Sequence, residues 1–87
     1  MAHAVNKKLL ADFGARVREL RTGRNLSQEQ LAELTGFHRT YIGMVERGER
    51  NLSLSNIEIF ARTFDLTLAG FLDFGGKAAI RSSRRAQ

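Results

Sequence analysis

Eighty-seven residues without one cysteine make a single small domain held by its apolar core alone, because disulfides, thiol nucleophiles and cysteine-bound zinc are all excluded. The formal net charge of +5 sits mainly at the end of the chain. Fourteen Lys and Arg stand against nine Asp and Glu, and every acid lies at or before Asp73, which leaves a balance of +1 over residues 1–74. Net charge is therefore a weak pointer to nucleic acid for the domain itself. No apolar run approaches the roughly 20 residues that span a bilayer, so a soluble, cytoplasmic protein with no membrane partner is expected. The absence of proline and the scattered β-branched residues favour an all-α fold.

The periodicity predicts five helices in one domain over residues 9–74, after a short leading segment (residues 1–8) that includes the start of the first helix. Asn6 is a suitable N-cap for that helix, which runs to about Thr22 before Gly23. Leu9, Leu10, Phe13, Val17 and Leu20 form its apolar stripe, with Arg21 on the margin. Ser27 and Gln30 have capping-box spacing, Leu26 is placed for a hydrophobic staple, and the second helix continues through Leu34 until Gly36 breaks it. A third helix spans about residues 38–47 and stops at Gly48. After the polar connector "RGERNLS", Ser53 caps a fourth helix on which Leu54, Ile57, Phe60, Ala61 and Phe64 share a face. Thr67 caps a short fifth helix through "LAGFLDF", in which Leu68 and Phe71 are the core candidates. From Gly75 on, "GGKAAIRSSRRAQ" has no periodicity and is expected to be a flexible basic tail over 75–87.

The third helix carries the chemistry. On a helical wheel, Tyr41, Val45, His38 and Ile42 fall on the inner side and Glu46 on the boundary. The open side holds Arg39, Thr40, Gly43, Met44 and Arg47. Gly43 weakens the helix by about 1 kcal/mol relative to alanine. That loss makes sense if the missing side chain lets the backbone approach another molecule. An α-helix fits the major groove of DNA, where arginine donates two bonds to guanine O6 and N7 and threonine reaches a base edge or a thymine methyl. An outer face with Arg and Thr is equally compatible with ordinary solvation. The preceding helix and the tight turn at Gly36 tip the balance, because two helices joined this way form a helix-turn-helix.

"LSQEQLAELTGFHRTYIGMVERGERNLSLSNI" resembles the helix-turn-helix of phage Cro and repressor proteins, the Xre-like regulators, and within them the controller proteins of restriction–modification systems. The matching positions are Gln28 opening the second helix, Ala32 at the close helix contact, Gly36 in the turn, and Ile42 and Val45 as the inner pair. The likeness extends over about residues 11–74. It implies a compact five-helix repressor-like domain and a homodimer on a (pseudo)palindromic double-stranded operator. It also implies that Arg39, Thr40, Gly43, Met44 and Arg47 face bases, with Arg39 foremost. Ser27 and Gln28 would hold a phosphate at the start of the second helix, and Arg50 and Asn51 one at the loop, with Arg24 and His38 as further candidates. The family pairs the positions of Arg21 and Glu46, which predicts a partly buried salt bridge.

One recognition helix reads too few base pairs to outcompete a genome of non-specific sites, so a dimer is required. Ile59, Leu72 and Phe74 are the candidate interface residues. The four cations of the tail, Lys77, Arg81, Arg84 and Arg85, are placed to add phosphate attraction or merely solubility. Nothing points to an enzyme, a cofactor or a small-molecule ligand, and His3 and His38 lack companions at metal-ligand spacing. The rival expectation is an antitoxin-like or adaptor protein using the same fold against a protein partner. Such an interface favours aromatic and aliphatic anchors over Arg and Thr.

Overall fold

Each helix opens on a side chain that replaces the partner its first turn lacks. The computed structural model describes residues 4–74, which form α1 (Lys7–Gly23), α2 (Gln28–Thr35), α3 (Arg39–Glu46), α4 (Leu54–Thr63) and α5 (Leu68–Phe71). Asn6, Ser27, Ser53 and Thr67 accept from backbone N–H groups three residues on, at 2.9 to 3.1 Å. At α2 the box is complete, because Gln30 Oε1 also takes the Ser27 N–H at 2.7 Å. Replacing Ser27 by alanine should lower stability by about 1 kcal/mol, read as a shifted urea midpoint at constant m-value. His38 caps α3, its Nδ1 accepting from Thr40 N at 3.2 Å, and it is exposed rather than facing inward as the wheel placed it. The turns after α1 and α4 rely on Asn25 and Asp65 at φ 58° and 59°, two residue types that tolerate this region.

All five helices deliver the buried core: Phe13 and Val17 from α1, Leu31 and Ala32 from α2, Ile42 and Val45 from α3, Phe60 and Ala61 from α4 and Phe71 from α5, joined by Phe64 at the C-cap of α4. The Phe71 ring lies parallel to those of Phe60 and Phe64, while Phe13 meets it edge-on at 5.4 Å. Leu9 and Leu54 were expected on apolar faces but are 53 % and 67 % exposed, because each sits in a first turn that overhangs the core. α5 ends at Phe71, and Phe74 packs beyond it against Phe13 at 6.3 Å. The basic tail and His3 lie outside the described residues.

α3 rests on α1 through main chain. A Cβ on Gly14 would stand 2.3 Å from the Val45 carbonyl oxygen and 2.7 Å from that of Glu46. Gly48, at φ +74°, closes the other side of the crossing, where a Cβ would approach Ala11 Cα to 2.9 Å. Both contacts require glycine, the second for its backbone angle as well. Among the described residues no helix is long and apolar enough to cross a membrane.

Candidate nucleic-acid interface

The turn between α2 and α3 is short because Gly36 adopts the left-handed conformation, φ 82°, and returns its N–H to the Ala32 carbonyl at 2.8 Å. Phe37 then drops inward, its ring 4.9 Å from Tyr41 and 5.3 Å from Phe60. It anchors the turn to the core, a role not foreseen from the sequence, although an aromatic between a cap glycine and an N-cap was a usable signal.

The inner side of α3 is fixed by a polar clamp. Arg21 Nε and Nη2 donate to Glu46 Oε2 and Oε1 at 2.6 and 3.1 Å, with the two side chains 12 % and 4 % exposed. Arg21 Nη1 donates to the Leu26 carbonyl at 2.8 Å, and Gln28 Nε2 adds a third bond to the Glu46 carboxylate at 3.1 Å. Three helices are thereby pinned at one carboxylate. Gln28, the residue expected at a phosphate, spends one N–H of its amide on Glu46. The groups left free at the start of α2 are backbone N–H donors, which favour an anion.

The outer side is narrower than the wheel implied. Gly43 is buried, not open: the Arg47 guanidinium lies across it, 3.1 Å from where a Cβ would be, and Gln28 Oε1 is 3.9 Å from the same point. What covers the glycine is the tip of a side chain that is itself 58 % exposed. Met44 is half-buried, and Arg39, Thr40 and Arg47 are exposed. The Thr40 hydroxyl has no hydrogen-bond partner among the described residues. Arg47 Nε and Nη2 donate to the two oxygens of Glu49 at 3.1 and 3.2 Å, and these bonds raise the Arg47 pKa above its ordinary value. The reversal at Gly48 brings Glu49 back to Arg47, and that glycine is the signal that foretells it. Arg39 Nε lies 3.3 Å from Glu29 Oε2 on α2.

Around this face, the Arg50 guanidinium sits 5.3 Å over the Tyr41 ring, whose hydroxyl accepts from Asn56 Nδ2 at 3.1 Å. Asn51 is exposed beside it in the loop. Arg24 is a different matter. It donates to the Phe64 carbonyl at 2.7 Å, lies over the Phe64 ring at 5.6 Å and reaches Asp65 at 3.4 Å, so it braces the end of α4. Arg16, passed over in the sequence, ties α1 to the Phe71 and Gly70 carbonyls of α5, both at 3.0 Å.

The three proposed interface residues do not share one surface groove. Ile59 lines a shallow depression with Leu54 and Leu68, whereas Leu72, 37 % exposed, and Phe74 border a cleft of about 350 Å³ with Leu9, Leu52 and Ile57. Phe74 is moreover packed on the core, Ile59 is half-buried as well, and Leu72 alone of the three is exposed.

Known proteins share this arrangement. The Helix-turn-helix family profile, HTH_3, matches residues 17–71. Control protein C.SmaI of Serratia marcescens is 50 % identical over 66 residues, which is 76 % of this chain and 75 % of that protein. The crystal structure of the restriction–modification controller protein C.AhdI from Aeromonas hydrophila superposes with a TM-score of 0.68 at 48 % identity, covering 76 % of this chain and 98 % of that one. The C.Esp1396I controller tetramer, solved with its natural 35 base-pair operator, gives 0.69 at 28 % identity over 75 % of this chain and 86 % of that one. With its profile matched across most of the described helices, and controller proteins alike in both sequence and fold, this chain belongs to the Xre-like helix-turn-helix family.

Proposed function

We propose that the protein is a sequence-specific, double-stranded-DNA-binding transcription regulator of the restriction–modification controller kind. In this reading it is not an enzyme, and it works in the cytoplasm as a homodimer on an operator of two-fold-related half-sites. One observation carries the proposal: α3, fixed from behind by Gly14, Gly48 and the Arg21–Glu46 clamp, turns Arg39, Thr40 and Arg47 outward. The operator-bound controller tetramer has a matching fold and supports the same conclusion.

Arg39 and Thr40 are the base readers, with Met44 at the margin of the groove and Arg47 placed for base or backbone. Free N–H groups at the start of α2, His38 and the Arg50–Asn51 loop face phosphates. With Nδ1 accepting from Thr40, the proton of a neutral His38 ring is on Nε2, which serves as an outward donor. Gly43 lets the helix backbone approach the bases once the Arg47 guanidinium above it turns to the DNA. A protein partner on this face is disfavoured, since the face offers charge and a hydroxyl in place of aromatic anchors.

Selection of duplexes from a random pool should return a palindromic consensus. Repeating it with Arg39→Ala should erase the preference at one position per half-site, a loss of about 1–3 kcal/mol of discrimination. Uniform weakening on all duplexes would instead make Arg39 a phosphate clamp.

A further inference from the structure

Both exposed arginines on the outer side of α3 are already neutralised. Glu29 stands 3.3 Å from Arg39 Nε, and Glu49 takes two bonds from Arg47 at 3.1 and 3.2 Å. Neither acid is a structural necessity. Their side chains are 68 % and 51 % exposed, and exposed ion pairs contribute little to folding. Glu29 also occupies the first turn of α2, the end at which a DNA phosphate is expected to dock. The domain, with its balance of +1 over residues 1–74, thus withholds positive charge from the surface that meets a polyanion.

We propose that Glu29 and Glu49 set DNA specificity by occupying the guanidinium groups of Arg39 and Arg47 until base edges replace them. They are positioning residues: they act through the two arginines, and the inference rests on the assignment of the outer side of α3 to DNA. Affinity for arbitrary DNA comes from Lys and Arg releasing counterions at phosphates. A guanidinium already paired with a carboxylate adds little to that term, and a phosphate arriving beside Glu29 or Glu49 is repelled. At the operator, by contrast, the arginine fork finds two aligned neutral acceptors on guanine, a bonding pattern that a phosphate on random DNA does not repeat. The acids therefore weaken the non-specific complex more than the specific one, and the ratio between them grows.

The test uses the full chain, the duplex obtained by selection and a shuffled duplex of equal length, titrated across salt concentrations. In Glu29→Gln/Glu49→Gln the salt slope on the shuffled duplex should steepen by roughly 0.9 per released guanidinium. Over a fourfold salt range two such contacts amount to about tenfold in affinity, so the shuffled duplex should bind up to that much tighter at low salt. The selected duplex should gain less, so the specificity ratio falls. Asp73→Asn, a surface acid away from α3, should leave the ratio unchanged. An unaltered slope, or equal gains on both duplexes, would overturn the inference. So would a lost preference at one base pair in Glu29→Gln, because Glu29 would then be reading cytosine. If Arg39→Ala instead proves neutral on every duplex, the assignment of the outer side of α3 is what has failed.

Discussion

Gly14→Ala will unfold the domain or leave it barely folded. The new methyl would lie 2.3 Å from one backbone oxygen and 2.7 Å from another, and neither can rotate aside. α1 and α3 must then part along their whole crossing, which opens the core around Phe13, Val17, Ile42 and Val45. Overpacking typically costs about 1–3 kcal/mol, and a contact made only of main chain belongs above that range. The roughly 1 kcal/mol that alanine gains over glycine in a helix does not offset it. Gly23→Ala is the internal comparison: nothing lies within 4 Å of its added methyl, so it should be neutral or stabilising. Urea denaturation of the pair settles the matter, and equal midpoints would refute the close crossing.

Arg21→Met should be nearly as damaging. It strands the Glu46 carboxylate, 4 % exposed, with Gln28 as its one remaining side-chain donor. Breaking one side of such a pair costs about 3–5 kcal/mol. For a domain of this size that is a large part of the total, about 0.05–0.15 kcal/mol per residue. Removing both charges in Arg21→Met/Glu46→Leu should recover most of the loss, because the buried ions then vanish together. A deficit of about 1 kcal/mol should persist, since the Leu26 carbonyl still lacks its donor. Single losses that simply add in the double variant would show the two groups to be uncoupled.

Helix number, order and every N-cap but His38 were legible in the sequence because each depends on residues a few positions apart. Ser27 with Gln30, Gly36 in the turn and the Phe60–Phe64 face are local facts. The Arg21–Glu46 pair spans 25 residues and came from the family resemblance together with the margin each occupies on its own helix. The wheel went wrong at Gly43 because it describes one isolated rod. It has no place for a long side chain from the next turn, nor for Gln28 arriving from α2. The bracing contacts of Arg24 were illegible for a related reason: its partners at Phe64 and Asp65 lie some 40 residues away, and no periodicity connects them.

The glycine seam beneath α3 has a consequence for how binding preference changes. Backbone atoms have no rotamers, so the tilt and depth of the helix are indifferent to which residues occupy positions 39, 40 and 47. New operators are thus accessible by exchanging the outward side chains alone, with the scaffold left undisturbed. Altering the half-site spacing, in contrast, demands changes elsewhere in the molecule, where one copy meets another.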